Sequence, residues 1–218
     1  MTDKNPRRTR NDPRREATRI AIIEKAEALF ARNGIEGVSL RQIGSAIGSG
    51  NTSVVAYHFG TKESLVEAIF HHRLPAIDAR RRTLLQEAID QGEESELSAL
   101  LRALWLPLFE QVDAEGHHSY AGFVGALMRA GDGRQRLLVH DDYPVTQQLL
   151  ALLLQALPDD IQPLFSQRIT LSAVIITGGL EYIDRQTQSA AISRPQGEAI
   201  FADILRAANA ALLAPTRD

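Results

Sequence analysis

The sequence has no cysteine among its 218 residues. Without thiols the chain forms no disulfide, offers no cysteine nucleophile and cannot build a cysteine-ligated zinc site. It also has no run of about 18 consecutive apolar residues, the length that a membrane-spanning helix requires. The arginines near the N-terminus are not followed by an apolar stretch before Ile20, so we predict no secretory signal there. These absences favour a cytoplasmic protein.

Motifs that carry catalytic or cofactor chemistry are also missing. The sequence contains no GxGxxG, P-loop, HExxH or GxSxG pattern. The pairs His71-His72 and His117-His118 are adjacent in sequence, and adjacent side chains diverge on a helix instead of converging on a metal. We therefore predict no metal and no cofactor. An enzyme hidden in a helical body stays open as an alternative without motif support.

Charge is distributed unevenly along the chain, although the net charge is only −3. Residues 1–60 contain ten Lys and Arg against six Asp and Glu, whereas residues 61–218 contain 14 against 21. A basic first quarter joined to an acidic body indicates that only the first part meets a polyanion.

The apolar residues recur every three to four positions nearly throughout, and sustained period-two alternation is absent. This pattern predicts an all-α protein of about nine helices, with Pro75 kinking or breaking the fourth. Residues 1–13 hold prolines and charges with little apolar content, so we predict a flexible basic arm. The predicted domains are 14–70 and 71–218. The predicted helices cover about 14–33, 39–47, 52–59, 62–90 with the kink or break at Pro75, 95–112, 118–129, 142–157, 163–188 and 195–213.

Residues 39–59 predict two short helices joined by a tight turn. Ser39 and Gln42 form a capping box that starts the first of them. The second is too short to be stable alone, so Val55 and Phe59 must anchor it to its neighbours. A short helix held in this way is what a helix-turn-helix inserts into the DNA major groove.

The predicted DNA contacts fall into three groups. Small side chains of the second short helix suit base edges and thymine methyl groups, namely Thr52, Ser53, Val54 and Ala56. Residues that hydrogen-bond or carry positive charge suit the phosphate backbone, namely Ser39, Arg41, Tyr57, His58 and Lys62. Arginines of the arm can follow the backbone or enter a minor groove, namely Arg7, Arg8, Arg10, Arg14 and Arg15.

Residues 15–69 resemble the N-terminal DNA-binding domain of TetR-family transcriptional regulators. The resemblance is carried by the segment Val38–Ile43 and above all by Tyr57–Leu65, which reads YHFGTKESL. It implies a homodimer that binds a near-palindromic operator, usually as a repressor released by a small molecule. The turn is one residue longer than the family pattern, and Ala56 replaces a frequent tyrosine. The second of the two short helices is the recognition helix of this family. Its first residue can therefore be either of two adjacent positions.

The last two predicted helices have wide apolar stripes that suit a four-helix dimer interface. The stripes consist of Ile169, Ala173, Ile176, Leu180 and Ile183 and of Ile200, Phe201, Ile204, Leu205, Ala208 and Leu212. Packing of the same stripes within one subunit is the alternative. Gly178-Gly179 lies in the first stripe, where a close helix approach explains two adjacent glycines.

By the same resemblance, the body holds an effector. The candidate pocket residues are Trp105, Phe109, Tyr120, Phe123 and Met128, although any one residue of this kind is more often plain core than ligand wall. Besides the regulator, a non-specific nucleoid or architectural protein remains an alternative, because it also uses a basic arm. Such a protein does not need a body of about 140 residues.

Overall fold

The computed structural model describes residues 13–49, 53–131 and 142–216. These ranges contain nine α-helices, one 3-10 turn and no strand, which confirms the predicted all-α architecture. The helices are α1 Pro13–Asn33, α2 Leu40–Ala46, α3 Val54–Phe59, α4 Lys62–Asp90, α5 Leu97–Glu110, α6 Ser119–Ala130, α7 Pro144–Ala156, α8 Phe165–Gln188 and α9 Arg194–Leu213. None of the helices in these ranges is long and apolar enough to cross a membrane.

The first three helices and the start of α4 share one small core. Its fully buried side chains come from every one of these helices, namely Ile22, Phe30, Ile43, Val55 and Leu65. Helix α1 ends where Gly34 adopts φ +74° and its N–H donates to the Phe30 carbonyl at 2.9 Å. Glycine takes this left-handed conformation at little cost. Because all four helices contribute to the core, they support one another despite the shortness of α2 and α3.

Of the kink or break predicted at Pro75, the break does not occur. Helix α4 continues through Pro75 as one element from Lys62 to Asp90. Proline removes the N–H that would bond to the carbonyl of His71. Pro75 is exposed, so water can reach this side of the helix and the helix tolerates the loss. The 29-residue helix is about 40 Å long and joins the N-terminal helices to the body.

In the body, α8 and α9 pack tightly against each other. A Cβ added at Gly179 would lie 2.5 Å from the Ile204 Cδ1 atom, so a larger residue there would displace the Ile204 side chain. The predicted stripe of α8 lies mostly inside the subunit, since Ala173, Ile176 and Leu180 are buried there. Of the two interpretations, packing within one subunit is therefore the one observed for this face of α8.

Helix α6 links the body to α1. A Cβ added at Gly122 would lie 2.9 Å from the Ala31 Cβ atom, so the two helices cross almost in backbone contact. Beside this crossing, the ring of Phe123 packs against Phe30 and Phe70 with centroids 6.2 and 5.4 Å apart. The contact leaves little room for α6 to move without moving α1.

A buried ion pair lies at the same junction. Arg73 donates from Nε and Nη2 to the two carboxylate oxygens of Glu27, at 2.7 and 2.9 Å. The Ser119 hydroxyl, at the start of α6, also donates to Glu27. Burial alone would lower the pKa of Arg73, but the hydrogen bonds and charge of Glu27 raise it above its usual value. One carboxylate thus connects α1, α4 and α6.

Candidate DNA-binding surface and body cavity

The N-terminus of α2 is fixed by the predicted capping box. The Gln42 N–H donates to the Ser39 hydroxyl at 3.2 Å, and the Ser39 N–H donates to Gln42 Oε1 at 2.7 Å. The Ser39 hydroxyl also donates to Gln42 Oε1, at 2.8 Å. The box satisfies backbone donors that the short helix leaves unpaired. It therefore sets where α2 begins and, through the turn, where α3 lies.

Helix α3 presents one anchored face and one exposed face. Val55 is fully buried, whereas Ser53 and Ala56 are exposed. Val54 is half-buried and packs against the core, so it contributes less open surface than predicted. Thr52 lies outside the described residues. Among the described positions, Ser53 and Ala56 are the small side chains most accessible to a partner.

Two arginines of α1 stack over aromatic rings of α3. The Arg15 guanidinium lies 5.8 Å from the centroid of the Tyr57 ring, and that of Arg19 lies 5.2 Å from the centroid of Phe59. These are cation–π distances. Tyr57 is 72% exposed, so this large ring is available to a partner while the arginine supports it. Arg14 lies in the same exposed first turn of α1, and the other predicted arm arginines lie outside the described residues.

The contribution of Arg19 was missed in the sequence, although a signal for it exists. Arg15 and Arg19 are four residues apart on α1, so they lie on one face of the helix. The pattern YHF places Tyr57 and Phe59 on a helix only six residues long. The sequence pattern that indicates Arg19 is therefore a pair of arginines four residues apart on α1, matched by two aromatic rings on the short helix α3.

His58 is held toward its neutral form. Burial lowers the pKa of His58 below its usual value, and the charges of Arg15 and Arg19 lower it further. A neutral imidazole can donate one hydrogen bond to a phosphate but adds no positive charge.

The two remaining predicted phosphate ligands differ in their surroundings. Arg41 is exposed, and its side chain has no carboxylate partner within the described ranges. Lys62 is partly buried, and its ammonium donates to the Ile35 carbonyl at 3.0 Å. Glu36 lies 3.8 Å from the same ammonium. Arg41 is therefore the more available cation, while Lys62 also holds α4 to the loop after α1.

Residues 22–69 match the family described as bacterial regulatory proteins, tetR family. The chain carries a TetR-family DNA-binding domain. TetR-family regulators are sequence-specific, DNA-binding transcriptional regulators, which confirms the function class predicted from the sequence. The match covers α2, α3, most of α1 and the start of α4, the helices that share the N-terminal core.

Solved structures of similar length resemble the whole chain more weakly. The TetR-family regulator PfmR from Thermus thermophilus is 18% identical with a TM-score of 0.48, and the alignment covers 90% of this chain and 99% of that one. A putative TetR-family regulator from Rhodococcus sp. is 20% identical over the same shares, with a TM-score of 0.46. A superantigen, pfit, is 18% identical over 95% of this chain and 92% of that one, with a TM-score of 0.43. A comparison with curated protein sequences found no match.

The body that follows the TetR-family domain has a partly open cavity of about 30 Å³. Two of the predicted pocket residues, Trp105 and Tyr120, line it. The other three lie elsewhere: Phe123 packs in the junction with α1, Phe109 stacks between His118 and Phe201, and Met128 is half-buried against the core. Sequence periodicity identifies buried aromatic residues but not which of them border a void.

The polar part of the cavity wall was not predicted. Arg81, only 5% exposed, donates from Nε and Nη2 to the Leu104 carbonyl at 3.1 and 3.0 Å. Its Nη1 donates to the Thr146 hydroxyl at 2.7 Å, and that hydroxyl donates to Asp78 at 3.0 Å. An arginine within a run of charged residues, RRR at 80–82, gives no sequence signal that one member points inward.

Proposed function

We propose that the chain is a homodimeric repressor that binds a near-palindromic operator through α3 and is released by a small-molecule effector. The observation that carries the proposal is the geometry of the TetR-family domain. A capped α2 supports a six-residue α3 whose Val55 is buried and whose Tyr57 is 72% exposed. A regulatory function of this kind requires no enzymatic activity of the body.

Dimerisation is supported by an unpartnered apolar face of α8. Leu171 is 55% exposed, Val174 50% and Tyr182 44%. Together with Gly178, these residues are spaced three, four and four apart, so they lie on one face of the helix. At Gly178 an added Cβ would meet no atom within 4 Å, in contrast to Gly179, which packs against α9. Large apolar side chains in a row favour burial against a second subunit.

The dimer accounts for the operator geometry. Two recognition helices related by a two-fold axis read two half-sites one helical turn apart, about 34–36 Å, or multiples of that spacing. The operator therefore has inverted symmetry, and each α3 meets one half-site.

Effector release is supported by the two faces of α6. Tyr120 and Val124 line the body cavity, while Gly122 between them packs against Ala31 of α1. A ligand larger than the cavity displaces its walls, and α6 is one of them. Because α6 crosses α1 almost in backbone contact, such a displacement changes the position of the TetR-family domain.

Selection of bound DNA from a random pool tests the DNA-binding part. We expect an inverted repeat, bound at least about a thousandfold more tightly than unrelated DNA. Sedimentation measures the oligomeric state, and Val174→Asp should give monomers, while Gln148→Asp on the exposed surface of α7 serves as the matched control. A preference for the selected site below about tenfold would support a non-specific architectural protein instead.

The assignment of Arg41 to a phosphate contact and of Ser53 to a base contact is tested by comparing Arg41→Ala with Ser53→Ala. Removal of a phosphate contact weakens binding to all sequences and lowers the salt slope by about one. Removal of a base contact instead changes preference at one position of the half-site. Equal behaviour of the two variants would contradict the assignment.

A further inference from the structure

A second, larger cavity lies where the N-terminal helices meet the body. It is a groove of about 270 Å³ beside the crossing of α1 and α6, and it shares no lining residue with the body cavity. This junction groove is bordered by Ala28 and Arg32 of α1, Gly122 of α6 and Asp184 of α8. Pockets for drug-sized ligands are about 300–1,000 Å³, so the junction groove suits a smaller molecule.

Arg32 places a positive charge on the wall of the junction groove. Its Nη2 atom lies 3.5 Å from Nδ1 of His117, which is also a wall residue, so the guanidinium lies at the groove. Within the described ranges, the carboxylates of the wall pair with other cations and not with Arg32. A guanidinium carries several N–H donors and no acceptor. Donors of Arg32 that do not face His117 are therefore available to a ligand.

Two acidic groups of the wall already have donors of their own. Asp184 accepts from the His118 backbone N–H at 2.9 Å, and its other oxygen lies 2.6 Å from the His118 ring atom Nδ1. Asp113 accepts from the backbone N–H of His117 at 2.8 Å and from that of Glu115 at 3.1 Å. Hydrogen bonds of this kind stabilise a charged carboxylate. Neither group therefore needs a cationic ligand.

The third acidic group pairs with the other arginine of the wall. Nη1 of Arg185 donates to Glu181 at 3.0 Å, one turn away on α8. Among the charged side chains that the structure describes on this wall, Arg32 is thus the one that lacks a partner of opposite charge.

This pattern favours a ligand with a single negative charge. The N–H donors of a guanidinium match the two oxygens of a planar carboxylate. A phosphate dianion brings a second negative charge, which the three carboxylates of the wall repel. A cationic ligand meets carboxylates that already have donors, and Arg32 repels it. On the α1 side, Ala28 and Ala31 present only methyl groups, which suit a short hydrocarbon part.

We propose that the junction groove binds a compact monocarboxylate, whose oxygens accept from Arg32 and whose hydrocarbon part contacts Ala28 and Ala31. The site is separate from the body cavity, and the binding of the carboxylate does not depend on the proposed function. Failure of this proposal therefore leaves the regulator unaffected, and failure of operator binding leaves this site unaffected.

The test titrates three ring compounds into the ¹⁵N-labelled full-length protein at neutral pH and low salt. Benzoate carries the carboxylate, benzamide has nearly the same shape without the charge, and phenylphosphonate brings the second negative charge. We expect a Kd for benzoate about tenfold lower than for benzamide, because hydrogen bonds to a charged group are the stronger ones. Phenylphosphonate should bind more weakly than benzoate. The backbone N–H signals of Ala31 and Gly122 should shift, whereas the indole signal of Trp105, which lines the body cavity, should not.

Variants assign the preference to Arg32 and the binding to the groove. Arg32→Gln should reduce the preference for benzoate over benzamide to less than about twofold. Arg102→Gln is the matched control, because Arg102 is an exposed arginine of α5 that does not line the groove, and it should leave the preference intact. Ala28→Leu fills the groove while Arg32 stays in place, so it should weaken the binding of both compounds by about tenfold or more.

Several results would overturn the proposal. They are equal Kd values for benzoate and benzamide, tighter binding of phenylphosphonate than of benzoate, and a benzoate preference that survives Arg32→Gln. An equal loss in Arg102→Gln would show attraction to any surface arginine, and a shift confined to Trp105 would place the ligand in the body cavity. Circular dichroism checks that each variant folds, and Ala28→Leu and the signals of the unaltered protein test the site independently of Arg32→Gln.

Discussion

Glu27→Gln tests whether the stability contributed by the ion pair at the junction of α1, α4 and α6 depends on the burial of that pair. Glu27 is fully buried, and the Arg73 side chain is 14% exposed. Glutamine keeps the shape but removes the charge, which leaves the Arg73 guanidinium without its counter-ion. Breaking a buried pair in this way costs about 3 kcal/mol or more of the free energy of unfolding. For a chain of this size, that loss lowers Tm by roughly 6–12 °C.

The chain provides a matched control for this change. Arg80 donates to both carboxylate oxygens of Glu110 at 2.8 and 2.9 Å, with nearly the same geometry, but both side chains are 35% exposed. Glu110→Gln should cost no more than about 1 kcal/mol, because water and the Glu87 carboxylate, 3.7 Å from Arg80 Nη1, still surround the arginine. Urea unfolding followed by circular dichroism measures both variants.

Adding Arg73→Met to Glu27→Gln should recover part of the lost stability, because it removes the unpaired charge. Equal losses for Glu27→Gln and Glu110→Gln would refute the reasoning, since only the exposed Arg80 keeps both water and a second carboxylate, Glu87, after its partner is changed. A double variant less stable than Glu27→Gln alone would show that packing of the arginine stem, not its charge, dominates the site.

Three further predictions follow from single contacts. Gly179→Ala should destabilise the fold by about 1–3 kcal/mol, because its Cβ meets a side chain of α9. The neighbouring Gly178→Ala should be neutral or stabilising. Calorimetry measures both variants, and a larger loss for Gly178→Ala would contradict the α8–α9 packing. Ser39→Ala and Ser193→Ala each break a capping box and should cost about 1 kcal/mol, but only Ser39→Ala should weaken operator binding by gel shift. The pKa of His58 is lowered on folding, so the unfolded chain binds more protons and stability falls as pH drops through about 6.5. His58→Asn should therefore flatten the pH dependence of the unfolding free energy between pH 7 and 5. An unchanged slope would contradict this.

The parts of the fold that local rules control were predictable from the sequence. The capping box at Ser39, the glycine that ends α1 and the core anchor Val55 all occur where local pattern places them. Each depends on residues within one or two turns, so the sequence contains the whole cause. Pro75 is the exception, because a proline stops a helix only when tertiary packing does not hold both halves in line.

The partners of charged residues were not predictable, because they depend on helices far apart in the chain. Glu27 and Arg73 are 46 positions apart, and Arg81 and Thr146 are 65 apart. Periodicity places such residues on a face of a helix, but the helix that covers that face decides whether a charge is solvated or paired. For the same reason periodicity does not distinguish a dimer interface on α8 from a stripe that α9 of the same subunit covers.

The contacts of Glu27 lie between the candidate DNA-binding helices and the body cavity. Ser119 of α6 donates to the carboxylate that holds α1 to α4, and Tyr120, the next residue, lines the cavity. Gly122 then crosses α1, and Val124 returns to the cavity wall. Within about one and a half turns, successive residues of α6 therefore contact α1 and the cavity wall in alternation. A ligand that moves Tyr120 must either strain the Ser119–Glu27 hydrogen bond or carry α1 with it. Under the proposed release mechanism, this polar contact and this glycine crossing would transmit a displacement of α6 to α1.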